Sequence, residues 1–144
     1  MMKKKLKILV VEDDIFLVEE LRKHIDQFVS EMHTNLAISI TFTRSAEDCC
    51  EKLEKDVDVV FMDYHLENDF GEVLFPCKHL INAINLYCND CKVIVVSVKQ
   101  EKLSAIGLIK NGIYDFIKKD RDIFLRLKMT LNQIMNSKLQ IAAA

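Results

Sequence analysis

The chain has 144 residues, half of them hydrophobic, and its 20 Lys+Arg nearly balance 22 Asp+Glu for a formal net charge of −2. That length suits one domain able to bury about two-thirds of its unfolded surface. The near-neutral balance excludes a dominant nucleic-acid footprint, which needs a clustered basic excess; Lys3, Lys4, Lys5 and Lys7 make only a solvated flank. No apolar stretch approaches the roughly 18–20 residues of a bilayer span, and the first apolar run breaks at Glu12, too early for a signal peptide. Cytoplasm is therefore the expected compartment, with no membrane contact. Five Cys, an odd number, fit reduced thiols better than a disulfide framework.

Strand-like runs fall near residues 7–11, 37–43, 57–62, 93–97 and 114–117, with helical patterns between them. The first, third and fourth are apolar almost throughout, as strands covered on both faces must be. Ile15, Leu17, Val18, Leu21, Ile25 and Phe28 recur at helical spacing after the first run. Residues 29–36 either extend that helix or form a long loop. Ser45, with Asp48 three residues on, is close to a capping box and opens a helix through Leu53. The only proline, Pro76, suits a first helical turn, so the third helix is expected from Phe75–Pro76, after a loop from Tyr64 through Gly71.

Leu103, Ile106 and Ile109 define a fourth helix, stopped by Asn111-Gly112 with Gly as its left-handed cap. The fifth starts near Asp120–Asp122 and stays periodic through Leu139. Its core stripe is Ile123, Leu127, Leu131 and Ile134; Leu125, Met129 and Leu139 lie off it, suited to a dimer contact or a continuation into another domain. Ala142-Ala143-Ala144 is set aside as an appended or truncated tail, leaving one domain over residues 1–141. Such alternation predicts an α/β fold: a doubly wound, flavodoxin-like (βα)5 unit whose five-stranded parallel sheet has strand order 2-1-3-4-5.

In that sheet ligands bind at the carboxyl ends of the strands. Glu12-Asp13-Asp14, Asp63, Ser97 and Lys119 each stand at such an end. Clustered carboxylates repel one another unless a cation neutralises them, and Mg²⁺ takes oxygen ligands while keeping several waters. Asp13 and Asp63, on adjacent central strands, can each supply one oxygen, and the longer Glu12 can act through a water. The bland alternative is that the triplet caps the following helix, a role that suits Asp14 best. A carboxylate such as Asp63 can act as nucleophile and hold an acyl phosphate. Mg²⁺ and Lys119 would offset charge on the transferred phosphoryl oxygens.

These residues resemble the response-regulator receiver domain of bacterial two-component signalling along essentially the whole chain. Ile8–Asp14 is similar to the family's first strand with its acidic pair, and Val57–Asp63 to its phosphoacceptor strand. Val93–Ser97 resembles the strand ending in the switch hydroxyl, and Gly112–Lys119 the segment with the switch aromatic and the lysine. The resemblance implies that Asp63 accepts phosphate from a sensor histidine kinase or phosphotransfer protein. It implies Mg²⁺ held by Asp13, Asp63 and the backbone carbonyl of His65, with Glu12 helping through water. Ser97 and Lys119 would grip the phosphoryl oxygens, and Phe116 would swing inward as Ser97 moves. Output to an unnamed partner would use the face made by the fourth helix, fifth strand and fifth helix, also the place for a homodimer contact.

Departures from the family pattern are Glu67 and Asp120 at positions where proline is common, and Val98 where Ala or Gly usually follows the switch hydroxyl. His65 and Lys99 stand where the family tunes dephosphorylation. Two other classes compete. A pseudo-receiver would bind partners without phosphate, and the full acidic, hydroxyl and lysine set opposes it. A haloacid-dehalogenase-type phosphotransferase needs a second Asp two residues after the first, where His65 stands. Nucleotide or flavin binding lacks a Gly-rich loop after the first strand. Cys88-Asn89-Asp90-Cys91, with Cys77 and His79 upstream, is a weak zinc or redox pattern. Cys49 and Cys50 read as packing filler.

Overall fold

The structure is a computed structural model and describes residues 5–31, 37–63, 78–88, 90–97 and 112–143. The strands are β1 (Lys5–Val11), β2 (Ala37–Thr43), β3 (Val59–Asp63), β4 (Lys92–Ser97) and β5 (Asp115–Lys118), of which β1, β3 and β4 are the richest in Val and Ile. All four pairings are parallel and the order is β2-β1-β3-β4-β5, as predicted. Helices α1 (Ile15–Glu31), α2 (Ala46–Lys52), α3 (Lys78–Tyr87) and α4 (Ile123–Ala143) connect or follow the strands. The predicted helix around 103–111, the loop 64–77 with Pro76, and residues 32–36 lie outside the described residues.

Side chains alternate across the pleat. Leu9, Val11, Val60, Met62, Val93 and Val95 pack on one face with α2 and α3, around Cys49, Leu80, Ile81 and Ile84. Leu6, Ile8, Val10, Val59, Phe61, Ile94 and Val96 pack on the other with α1 and α4, around Leu21, Ile25, Phe28, Leu127 and Leu131. Both faces of the central strands are therefore covered, which is why their sequences carry no polar alternation.

Local chemistry sets the boundaries. Asp14 Oδ1 accepts from the backbone N–H groups of Phe16 and Leu17 and so starts α1. Ser45 does the same for α2 by accepting from Asp48 N–H. Gly112 has φ of +70°, the left-handed conformation expected after the fourth helix. Asp58 is the reason β3 begins at Val59 rather than 57. Its carboxylate and N–H engage the backbone of Lys7, and its carbonyl accepts from Lys92 N–H.

Two expectations about the core need correction. Ile15, which carries the helical spacing of the α1 stripe, is 56% exposed. Cys50 is exposed and fills nothing, whereas Cys49 is fully buried. On α4 the predicted stripe is buried and Thr130 and Met135 join it, while Leu125 and Met129 face outward.

Candidate functional site

Strand register creates the site. Val11 of β1 pairs with Met62 of β3, so Glu12 and Asp63, one residue further along, leave the sheet side by side at its carboxyl edge. On the far side Asp63 pairs with Val96, and Ser97 pairs with Lys118, which brings Lys119 to the same edge. The turn after β5 is held by Lys119 N–H donating to the Ser97 carbonyl at 2.7 Å. Buried Ser97 ends β4, the strand that lies between β3 and β5.

The Lys119 ammonium lies 3.0 Å from Glu12 Oε2 and 3.1 Å from Asp63 Oδ2. Glu12, 1% exposed, is steadied by Asp14 N–H donating to its Oε1 at 3.2 Å. Its Oε2 is enclosed and, among the described residues, accepts no well-directed hydrogen bond, while the Lys119 ammonium lies beside it. Burial, then the charge of Asp63, pushes the Glu12 carboxyl up to about 7 against the opposing pull of Lys119. For Lys119 burial acts downward, but the charges of Glu12 and Asp63 outweigh it and its pKa is raised.

Carboxylate oxygens of Glu12, Asp13 and Asp63 all lie within 4.8 Å of one another. An ion with ligands at about 2.1 Å spans oxygens up to about 4.2 Å apart, so a small side-chain adjustment or one bridging water closes the set. The acids outnumber the single ammonium, so a divalent cation would favour loss of the Glu12 proton and offset the clustered negative charge. The donor set, all oxygen and partly open through exposed Asp13, suits hard Mg²⁺ rather than zinc.

A family model described as the response regulator receiver domain matches residues 8–127. The chain belongs to this family. Solved receiver domains share its fold. The signal receiver domain of a protein assigned as a Luxo repressor from Vibrio parahaemolyticus is 19% identical with a TM-score of 0.73, covering 96% of this chain and 97% of its own. A response regulator receiver domain protein from Clostridium thermocellum is 16% identical with a TM-score of 0.69, covering 94% and 98%. The response regulator TrrA from Thermotoga maritima, solved in complex with Mg²⁺ and BeF, is 18% identical with a TM-score of 0.67, covering 90% and 98%. The comparison with curated proteins returns no match.

Receiver domains are signalling modules that interact with histidine kinases, and the acidic pocket of this one is compatible with Mg²⁺ and phosphorylation. Among the described residues no helix is long and apolar enough to cross a membrane. The structure brings Glu12, Asp13, Asp63 and Lys119 together, and ends β4 with Ser97 at the same sheet edge. Phe116 is half-buried against the α2–α3 cluster. His65, Glu67, Val98, Lys99 and Cys77 lie outside the described residues, as does the side chain of His79.

Other residues support the site without a sequence signal. Thr43, buried at the end of β2, donates its hydroxyl to the Val10 carbonyl at 2.8 Å, and its own carbonyl accepts from Glu12 N–H. Asp120, in place of the common proline, accepts from Asp122 N–H at 2.9 Å and leads the chain into α4. Cys88 donates its thiol to the Glu54 carbonyl, and burial drives the thiols of Cys49 and Cys91 up to about 12. Those cysteines serve packing.

Proposed function

We propose that this receiver domain, spanning residues 1–141, is a phosphorylation-operated switch in a bacterial cytoplasm, with Asp63 as its phosphoacceptor. The observation that carries this is the contact of Asp63 with the Lys119 ammonium inside a pocket that also gathers Glu12 and Asp13. An Asp63 oxygen attacks the phosphorus of a phosphohistidine on a sensor kinase or phosphotransfer protein. The new O–P bond forms as the N–P bond breaks, and the imidazole keeps the electron pair and takes a proton. Asp13, Asp63 and the His65 carbonyl, with Glu12 through water, would hold Mg²⁺, which would supply charge neutralisation for the phosphoryl oxygens.

Lys119 already rests between Glu12 and Asp63, so it needs only a local shift to follow the growing phosphoryl charge. Ser97 takes one phosphoryl oxygen and Phe116 moves with it, altering the face formed by β5 and its flanking helices. Phosphate on Asp63 replaces a single negative charge by about −1.5 to −2. Coupling of about 1–3 kcal/mol then suffices to shift the inactive–active balance by about five- to 150-fold. The domain turns over no external substrate. Incubation with acetyl phosphate and Mg²⁺, followed by intact-mass measurement, tests this. One phosphoryl adduct is expected, absent with chelator and absent in Asp63→Asn; an adduct surviving in that variant moves the acceptor elsewhere.

A further inference from the structure

Thr130 is a polar residue, 5% exposed, on the face of α4 that otherwise packs Ile123, Leu127, Leu131 and Ile134 into the core. A buried threonine in a helix can satisfy its hydroxyl on a carbonyl one turn back. Thr130 instead donates out of the helix to Asp115 Oδ2 at 2.7 Å. The other oxygen of the same carboxylate accepts the backbone N–H of Phe116 at 2.8 Å. One carboxyl group therefore holds α4 and the backbone of the fifth strand together through two hydrogen bonds.

The pleat makes this link directional. Asp115 reaches the α4 side of β5, where Ile117 also packs, while Phe116 packs against the α2–α3 cluster on the opposite face. A displacement of the Phe116 backbone pulls on the Asp115 carboxylate through the bond that its N–H donates. That displacement then either moves α4 or breaks the bond to Thr130. We propose that Thr130 is a positioning residue which, through Asp115, couples the switch strand to α4, so that the state of the phosphoryl pocket is transmitted through the sheet to its α1–α4 face. This rests on Phe116 acting as the switch aromatic.

Amide NMR spectra of the full chain, recorded with Mg²⁺ before and after beryllofluoride, test it in the wild type, Thr130→Val and Thr130→Ser, with unfolding midpoints measured alongside. The wild type should shift at Asp13, Asp63 and Lys119, at Phe116, and along residues 127–134. Thr130→Val should keep the pocket shifts but lose at least half of the α4 shifts, and Thr130→Ser, which retains the hydroxyl, should restore them. Full α4 shifts in Thr130→Val, or equal loss in Thr130→Ser, overturn the coupling. If Thr130→Val does not fold, Asp115→Ala gives the same readout, since it removes the carboxylate that accepts the threonine proton. If pocket residues of the wild type do not respond at all, the phosphoacceptor proposal has failed, and the coupling falls with it.

Discussion

Burial of Glu12 makes the metal-free protein less stable as pH rises through neutrality. In the unfolded chain this carboxyl titrates at its ordinary value of 4.5, and in the fold at about 7, chiefly because it is buried and secondarily because Asp63 is near. Between those values the native state holds a proton that the unfolded state has released, so stability falls as pH increases. The gap, at about 1.36 kcal/mol per pH unit, amounts to about 3 kcal/mol, fully lost above pH about 8. Glu12→Gln keeps the shape and removes the titration. Urea unfolding of both proteins with chelator, from pH 5 to pH 8, should show the wild type losing about 2–3 kcal/mol relative to Glu12→Gln, the larger part of the whole effect. Mg²⁺ should recover part of it at pH 8 in the wild type. Parallel pH profiles for the two proteins would refute the assigned origin of the strain.

Lys119→Met strips the acids of their ammonium and should cost about 3 kcal/mol, the low end for a broken buried pair because Lys119 is partly exposed. The cost should be larger at pH 8 than at pH 5, where Glu12 is protonated, and equal costs in urea titrations would contradict it. Iodoacetamide at pH 8, followed by peptide mass mapping, should modify exposed Cys50 well before Cys49 or Cys91, whose thiols are held at about 12. Labelling of all three at one rate would mean the α2–α3 layer is open. Gly112→Ala should lower stability by about 1–2 kcal/mol, since φ of +70° disfavours a Cβ and Asn85 packs against that position. An unchanged midpoint of thermal unfolding would show that the backbone relaxes there.

The sheet was legible because its inner strands are apolar without alternation. Ile8–Val11, Val59–Met62 and Val93–Val96 send side chains into both helical layers, a pattern only central parallel strands need. Once those strands are ordered, the polar residues at their ends must meet at one edge, so Glu12, Asp63 and Lys119 could be placed together before any coordinates. What stayed hidden depends on tertiary depth rather than on local pattern. Ile15 carries the right helical spacing, yet it is exposed. Thr130 and Asp115 are fifteen positions apart on different elements, and neither residue type marks the other in sequence. Asp120 looked like a departure from a proline position, and its capping hydrogen bond appears only when the turn into α4 is seen.

The most direct test of the pocket is a crystal structure with Mg²⁺ and beryllofluoride. Beryllium bonded to a carboxylate oxygen of Asp63, with the ion on Asp13 and Asp63 and the Lys119 ammonium turned onto a fluoride, is the predicted result. Beryllofluoride bound elsewhere, or an Asp63 still paired with Lys119 at saturating ligand, would contradict the account.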